Sequence, residues 1–392
     1  MSEARVNNLS NESNTGGPTI TGITTFSGTN YFVPPVGNTA QRPENPQKGA
    51  LRFNTDTKHL EYFKGDTIGW VDVEATNEEL NGGHRGVMAG GDNPGSPGQT
   101  HTIDYITIST LANAIDFGDL TTGGNAGSGG REYLAMGPQA SRTRCLFAGG
   151  QGFPSPNNET NVVDYITMAS TGNATDYGDL INSPSAGMSC SSETRGVVMG
   201  GNDAPTGQMD TIQYTTIAST GNFVDFGGDI LAAASNGCAV SSTTRGLANS
   251  GSLDVNTMQY ITIATTGVDA SDFGDFPANQ APRSNQCAGG NATRSVWGGG
   301  TTPSPSVNTI VYYTMATLGN GVDFGDLTAP TNGAGAVSSP TRTVFTSGKR
   351  SNAFSVTMDY VQIMTTGNAV DFGDSTSARM TMGYGSNGHG GL

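Results

Sequence analysis

The sequence predicts an all-β protein whose main part is a six-bladed β-propeller closed by the C-terminal strand. Composition is one reason, since 58 of the 392 residues are glycine and only 13% are charged, as expected for short strands joined by tight turns. The other is a unit that occurs six times at intervals of 59, 51, 50, 49 and 48 residues. Repeats of roughly fifty residues made of short strands are typical of propeller blades. The arginines that open the six repeats are Arg85, Arg144, Arg195, Arg245, Arg294 and Arg342.

Each repeat is predicted to form four antiparallel strands. In the third repeat they cover residues 185–190, 195–199, 211–217 and 223–226, and the third of them alternates with period two. The first strand holds small side chains and is therefore predicted to lie innermost, around the axis. Aromatic residues of the third and fourth strands fill the space between blades: Tyr105, Tyr165, Tyr214, Tyr260, Tyr312 and Tyr360, then Phe117, Tyr177, Phe226, Phe273, Phe324 and Phe372.

The ends of the repeat region predict how the ring closes. The first repeat begins directly at its second strand, next to His84, whereas residues 378–384 offer a spare strand after the sixth repeat. Pairing this spare strand with the first repeat completes six blades and removes two free sheet edges.

Charge and composition exclude several functions. The formal net charge of −15 repels a phosphate backbone, so nucleic-acid binding is not expected. No apolar run approaches the roughly 18 residues of a membrane-spanning helix, and the N-terminus lacks the pattern of an export signal, so we expect no membrane insertion. Neither a metal nor another cofactor is predicted, because the four histidines lack ligand spacing; they are His59, His84, His101 and His389.

The cysteines occur one per repeat, without paired or Cys-x-x-Cys spacing. Their low density argues against a disulfide framework, and we expect buried thiols in the inner strands. Cys238 and Cys287 each lie seven residues before the arginine of their repeat and therefore occupy equivalent positions. The other two cysteines are Cys145 and Cys190.

Three recurrent features have alternative interpretations. The Asp-Phe-Gly triplet holds magnesium in kinases, but here it recurs without the other kinase motifs and is interpreted as a strand end. Pairing of the repeat arginines with aspartates or turn carbonyls is favoured over anion binding. Aspartate pairs at the strand end either bind calcium weakly or cap turns, and turn capping is favoured; they are Asp116 and Asp119, Asp176 and Asp179, and Asp371 and Asp374.

The chain is predicted not to be an enzyme. Glycoside hydrolysis needs two carboxylates about 5 to 10 Å apart in a cleft. Nearly every carboxylate of the repeat region belongs to the repeated pattern itself, whereas a catalytic pair is usually unique in its chain.

The first 83 residues differ from the repeats. Residues 1–46 are polar with isolated apolar residues, which is typical of an arm that orders against a partner. Residues 47–83 are predicted to form a small β module with strands on both sides of an Asn-Thr-Asp-Thr turn and a third strand at Trp70. So small a module usually needs partners or self-association, which favours a homotrimer. The apolar residues of the arm, our candidates for docking to a partner, are Val6, Leu9, Ile20, Ile23, Phe26, Tyr31 and Phe32.

Two family resemblances follow from these motifs. The glycine doublets, such as Gly90-Gly91 and Gly200-Gly201, resemble those of kelch repeats. Residues 49–58, 60–65 and Trp70 look like a module of bacteriophage fibre and other virion proteins. The arm and the Tyr-Ile-Thr-Ile repeats resemble structural proteins of marine cyanophages. This resemblance implies a virion location, attachment through the N-terminus and no catalytic motif.

Strand direction predicts that the two faces of the propeller differ. Turns after the first and third strands are short and uniform and lie on one face, whereas long, irregular loops lie on the other. The N-terminal module would join the uniform face. We therefore expect residues 84–392 to present the irregular loops to a host glycan or protein, as a fibre or appendage does; the alternatives are a capsid- or neck-decorating protein for assembly or stability, and loops that are merely solvated. The candidate contact residues are Asp92, Asn93, Phe153, Asn157, Asn158, Asp203, Lys349 and Arg350.

Overall fold

The computed structural model describes residues 33–73, 84–95, 98–121, 130–152, 158–251, 256–277, 283–301 and 305–392. The chain divides into two compact units, one containing residues 33–73 and the other residues 84–392. The protein is all-β, with many small antiparallel sheets. Within the described ranges the one helix is the 3-10 turn Thr39–Gln41, so no helix there is long enough to cross a membrane.

The first unit is one four-stranded sheet with the strand order β1-β2-β3-β4. The sequence predicted its last three strands but not β1, which is two residues long and pairs in parallel with β2. The 3-10 turn begins after Asn38, whose side chain accepts a hydrogen bond from the Gln41 N–H at 3.0 Å. The strands are β1 (Val36–Gly37), β2 (Leu51–Asn54), β3 (His59–Phe63) and β4 (Trp70–Val73).

The second unit contains short strands throughout its described residues. In chain order they are β5 (Arg85–Ala89), β6 (Thr102–Thr107), β7 (Ile115–Asp119), β8 (Arg144–Ala148), β9 (Val162–Thr167), β10 (Thr175–Asp179), β11 (Met188–Ser191), β12 (Arg195–Met199), β13 (Asn202–Asp203), β14 (Gly207–Gln208), β15 (Thr211–Thr216), β16 (Val224–Asp229), β17 (Ala239–Ser241), β18 (Arg245–Asn249), β19 (Thr257–Thr262), β20 (Ser271–Asp275), β21 (Cys287–Gly290), β22 (Arg294–Gly298), β23 (Thr309–Thr314), β24 (Val322–Asp326), β25 (Thr331–Asn332), β26 (Gly335–Ser338), β27 (Arg342–Thr346), β28 (Lys349–Arg350), β29 (Ala353–Phe354), β30 (Thr357–Gln362), β31 (Val370–Asp374) and β32 (Gly383–Ser386).

Six main sheets correspond to the six repeats. We number them sheet 1 (β32-β5-β6-β7), sheet 2 (β8-β9-β10), sheet 3 (β11-β12-β15-β16), sheet 4 (β17-β18-β19-β20), sheet 5 (β21-β22-β23-β24) and sheet 6 (β26-β27-β30-β31). The predicted pairing of the C-terminal strand with the first repeat is confirmed, since β32 is antiparallel to β5 with Gly383 opposite Ala89. The turn before β5 is completed by the same segment, because Asn387 Oδ1 accepts the Arg85 N–H at 2.8 Å.

Sheet 2 lacks a regular inner strand. In sheet 3 a left-handed residue, Ala186, precedes the turn serine Ser192 by six positions, whereas in sheet 2 the equivalent residues Tyr133 and Ser141 are eight positions apart. Because two extra residues interrupt the pleat, this segment makes isolated bridges, such as that between Pro138 and Tyr384, in place of a strand. The sequence analysis had not anticipated this difference.

The arginine that opens each repeat connects two sheets. Its guanidinium carbon lies over the tyrosine of its own third strand, 4.2 to 4.8 Å from the ring centroid. Its Nη1 donates to a turn carbonyl of the next sheet, so the turn-carbonyl interpretation is confirmed. The last bond, from sheet 6 to sheet 1, returns to the first repeat. The six bonds run from Arg85 to Met168, Arg144 to Ile217, Arg195 to Ile263, Arg245 to Met315, Arg294 to Ile363 and Arg342 to Ile108.

A second contact follows the same circular order. The backbone N–H of the last aspartate of the Asp-aromatic-Gly-Asp motif donates to a side-chain oxygen of the next sheet at 3.0 to 3.1 Å. The sixth sheet again donates to the first. The bonds run from Asp119 to Asn173, Asp179 to Asn222, Asp229 to Asp269, Asp275 to Asn320, Asp326 to Asn368 and Asp374 to Asn113.

A third contact varies from one junction to the next. The residue two positions after that motif donates its N–H to a polar side chain of the third strand of the next sheet: Thr121 to Asp164, Ile181 to Gln213, Leu231 to Gln259, Thr328 to Asp359 and Thr376 to Asp104. Between sheets 4 and 5 the donor position is Pro277, which has no N–H, and the acceptor position is Val311. Donor and acceptor are therefore missing together at one junction.

The core lies between the sheets. The tyrosine of the third strand packs edge-on against the aromatic residue of the fourth, with ring centroids 5.8 to 6.1 Å apart. All four cysteines are buried free thiols, as predicted. Cys190 and Cys287 lie in the inner strands β11 and β21, but Cys145 lies in the second strand β8, so the inner-strand prediction was wrong for it.

The C-terminal residues fold across the inner strands. His389 is 4% exposed, and its Nε2 lies 2.9 Å from Ala140 O and 3.2 Å from Ser191 Oγ. Its Nδ1 accepts the Gly391 N–H at 3.1 Å, so Nε2 carries the proton and donates. Gly391 has no room for a side chain, since a Cβ there would collide with Ser191 O. The tail therefore contacts the first strand of sheet 3 and the irregular segment before sheet 2.

We expect Arg195→Met to lower the free energy of unfolding by about 2 kcal/mol, because a charge-assisted hydrogen bond and the contact with Tyr214 are lost together. The matched control is Arg142→Met: Arg142 lies in an exposed ion pair with Glu193 at 3.5 Å, and its loss should change stability by less than about 0.5 kcal/mol. Urea unfolding measures both. Arg342→Met should cost as much as Arg195→Met, and a negligible loss for it would contradict the contact between sheets 6 and 1.

Stability should fall in mild acid because of His389. Burial lowers the pKa of His389 from 6.5 to about 4. A folded-state pKa below the unfolded value means that the unfolded chain binds the proton more readily. Stability is therefore complete above pH 6.5 and is lost as the pH falls toward 4, by up to about 3 kcal/mol from this group. Melting temperatures measured from pH 7 to pH 4 should fall more steeply for the wild type than for His389→Gln; equal slopes would exclude His389 as the cause.

Candidate binding face

Five connections between second and third strands share one construction; residues 252–255, in the connection of the fourth repeat, lie outside the described residues. In each of them, a residue after the glycine doublet forms β-bridges with two partners. One partner lies just before an inner strand, and the other lies further along the same loop. Asp92, for example, bridges both Met380 and Gln99. The glycines are required because both adopt positive φ, and a Cβ on Gly200 would collide with Ala234 O of the next repeat. We call the surface formed by these connections the loop face; its bridging residues are Asp92, Gln151, Asn202, Thr301 and Lys349.

A series of left-handed residues underlies the loop face. In every repeat one residue before the inner strand has φ between 53° and 63°; it precedes the turn residue by six positions, or by eight in sheet 2. Five of the six donate their N–H to the carbonyl of the preceding member, as from Ala186 to Tyr133 at 2.7 Å and from Asn236 to Ala186 at 2.9 Å. Only one member is glycine, so these backbone hydrogen bonds hold the strained conformation. The members are Tyr133, Ala186, Asn236, Asn285, Gly333 and Thr381.

One polar cluster stands out on the loop face. Glu132 is 6% exposed, and its Oε1 accepts hydrogen bonds from Gln99 Nε2 at 2.8 Å and from Gln151 Nε2 at 3.1 Å. Burial raises the pKa of Asp92, the nearby charge of Glu132 raises it further, and Lys349 opposes both. The cluster therefore combines carboxylates, amides and an ammonium group from the first, second and sixth repeats.

An aromatic side chain adjoins this cluster. Burial, with smaller contributions from Glu132 and Asp92, raises the pKa of the Tyr133 hydroxyl. Lys349 Nζ lies 4.7 Å from the ring centroid of Phe354. Aromatic rings beside planar amides and carboxylates are suited to polar ligands with an apolar side, such as sugars.

The predicted contact residues are only partly brought together. Asp92 and Lys349 both belong to the cluster, and Asn93 follows Asp92. Asn158 accepts the Gly152 N–H at 3.0 Å in another loop, and Asp203 lies in the hairpin β13-β14 of the third repeat. Arg350 is held inward by an ion pair of 3.0 Å with the fully buried carboxylate of Asp359. Phe153 and Asn157, and the arm residues Val6, Leu9, Ile20, Ile23, Phe26, Tyr31 and Phe32, lie outside the described residues.

Four residues of the cluster were not among the sequence candidates: Gln99, Glu132, Tyr133 and Gln151. A usable signal was present, because Glu132 and Tyr133 directly follow Arg131, whose position recurs as Arg283 and Arg379 at the entries to other inner strands. The bridge of Glu132 to Gln151 could not be derived from spacing alone.

The described residues contain no group of three or more His, Cys, Asp or Glu side chains arranged to hold a metal. The motif aspartates at two positions cap turns, since Asp225 Oδ1 accepts the Gly227 N–H at 3.0 Å and Asp272 Oδ1 accepts the Gly274 N–H at 3.2 Å. His101 forms an exposed ion pair of 3.3 Å with Asp119 when protonated. These contacts stabilise turns and strand ends of the fold.

A scan against protein-family models returns no match, and neither does a search of curated proteins.

The opposing charges around Asp92 give a direct test of the cluster. Glu132→Gln should lower the pKa of Asp92, because the like charge is removed while an amide oxygen remains to accept from Gln99 and Gln151. Lys349→Met should raise the same pKa, because an attractive charge is removed. Carboxyl-carbon NMR titration of the labelled protein measures both shifts. Shifts of the same sign, or none, would contradict the arrangement.

Proposed function

We propose that the six main sheets form a closed six-bladed β-propeller. Two circular series of hydrogen bonds support this, because each passes through the sheets in order and returns from the sixth to the first. The pairing of β32 with β5 supports it further, since one sheet is then built from both ends of the repeat region. Sheet 2, with its irregular inner segment, is still bonded on both sides through Pro138 and Met136.

We further propose that the protein is a non-enzymatic bacteriophage virion component that binds the host surface through the loop face. The observation that carries the binding role is the contrast between the constant bridges of the loop face and the variable loops that they close. The bridges at Asp92, Gln151, Asn202, Thr301 and Lys349 are alike, but the loops they close differ in length and side chains. Loops that vary in length and side chains on a constant backbone structure are typical of a recognition surface.

The virion assignment has a separate support. It comes from the resemblance of residues 49–70 and of the arm to phage structural proteins. In this proposal the N-terminal residues dock to other virion proteins, and the propeller presents its loop face to a host glycan or protein. A sugar fits the chemistry of the cluster, because hydroxyl groups match the amides and carboxylates of Gln99, Glu132 and Asp92, and Tyr133 offers an aromatic surface.

Particles that carry loop-face variants test the proposal. Replacing residues 204–206, the tip of the hairpin β13-β14, and substituting Tyr133→Ala should each reduce adsorption to host cells at least tenfold. The control is a replacement of residues 219–221, a turn between third and fourth strands of the same repeat, which should leave adsorption unchanged.

Antibody labelling of intact particles against the propeller gives the second readout. Label at the tail or fibre together with impaired adsorption supports the proposal. Label at the capsid or neck with normal adsorption of both loop variants would overturn it in favour of a decorating or assembly role.

A further inference from the structure

The small sheet of the first unit has one charged face and one apolar face. Cross-strand partners share a face, and the register places Arg52 opposite Glu61 and Asn54 opposite His59. The same register places Leu51 opposite Tyr62 and Phe53 opposite Leu60 on the other side. Strand β4 continues both patterns, with Asp72 beside Glu61 and with Val71 and Val73 beside Tyr62 and Leu60.

The charged face is the one that the chain itself covers. Glu61 is fully buried and receives Arg42 at 2.6 Å, Arg52 at 3.2 Å and Asn54 Nδ2 at 3.2 Å. Arg52 in turn donates to Asn38 O at 3.0 Å beside the 3-10 turn. The inside of this unit is therefore an ionic network beside one aromatic pair, Phe63 and Trp70, whose ring centroids lie 5.5 Å apart.

The apolar face is left open. Val36, which pairs with Phe53 in the parallel ladder, is 59% exposed, Leu51 is 42% exposed and Val73 is 38% exposed. Phe63, on the opposite face, is the one apolar residue between positions 33 and 73 that is buried. We call the open surface the module face; it consists of Val36, Leu51, Phe53, Leu60, Tyr62, Val71 and Val73.

We propose that the module face is the contact between copies of this chain. A unit of this size rarely folds alone without an added source of stability, and its own inside supplies an ion network whose desolvation offsets much of its attraction. Covering the module face gives the missing apolar core. An apolar surface that extends across four strands in an otherwise polar protein marks an interaction site.

Charge favours a second copy as the occupant. The whole chain carries a net charge of −15, whereas residues 33–73 hold five basic and five acidic side chains, so two copies meet at this unit without the net repulsion of the rest of the chain. The seven side chains of the module face are uncharged at neutral pH, and an apolar surface is complementary to itself. A cation lies beside them, since Lys64 Nζ is 5.6 Å from the Tyr62 ring centroid. This inference does not depend on the proposed function.

Sedimentation equilibrium of the full chain tests it. The wild type should have a mass of two or more times 40.2 kDa. Leu51→Glu and Val36→Glu should each reduce the mass to that of one chain or weaken association at least a hundredfold, because like charges are then buried against each other. The matched control is Ile68→Glu, which adds the same charge at a 65% exposed apolar residue in the turn before β4, outside the module face, and should keep the wild-type mass.

Both face variants replace side chains that a single chain leaves exposed, so each should fold; circular dichroism and the melting temperature of the first unit verify this. The proposal would be overturned if the wild-type mass stayed at 40.2 kDa over a hundredfold range of concentration. The module face would then bind a different protein. Face variants that keep the wild-type mass would also overturn the proposal.

Discussion

An arginine that lies on a tyrosine of its own sheet and donates to a carbonyl of the next sheet is the contact on which the second unit depends. It occurs at each junction between sheets. Its chemistry needs arginine, because a planar guanidinium can cover an aromatic ring and still direct an N–H group outward. The carbonyl that it reaches lies in a turn after a third strand, where no ladder partner is available. The arginine therefore satisfies a backbone group that would otherwise be left to water.

This contact also explains the contrast between the two ends of the sheets. Two kinds of turn near the arginines are uniform. The turn after each third strand presents a carbonyl to the arginine of the preceding sheet, and the turn before each second strand presents, in most repeats, a serine such as Ser192 or Ser242 to the arginine N–H. At the loop face only the bridging residue and the left-handed residue are fixed by the backbone. Beyond Asp92 or Asn202 the chain is free to vary in length. Rigidity and variability are thus separated along each strand, as a recognition surface requires.

Much of the fold could be predicted from the sequence because the repeats are local patterns. The second strand of the third repeat, Arg195–Met199, has the predicted bounds, and the pairing of the C-terminal strand followed from counting strands. Features that depend on distant backbone contacts were missed. Tyr133, Ala186 and Thr381 carry no signal for positive φ, since the conformation is held by hydrogen bonds from other repeats. The cluster around Glu132 was missed for the same reason: Gln99 and Gln151 reach it from different repeats. In the first unit, the Asn-Thr-Asp-Thr turn and the residues around Trp70 predicted the strands but not which face is covered.

The junction between sheets 4 and 5 has a consequence for how the repeats relate to one another. At the other five junctions, a backbone N–H of one repeat donates to a side-chain oxygen of the next repeat. Where Pro277 removes the donor, Val311 removes the oxygen as well. If the fifth repeat were moved to follow the second, the N–H of Ile181 would face the methyl groups of Val311 and remain unsatisfied, at a cost of about 1 to 3 kcal/mol. The six repeats share one pattern, but at this position each matches its own neighbour, so their order along the chain is chemically specified and they are not exchangeable building blocks.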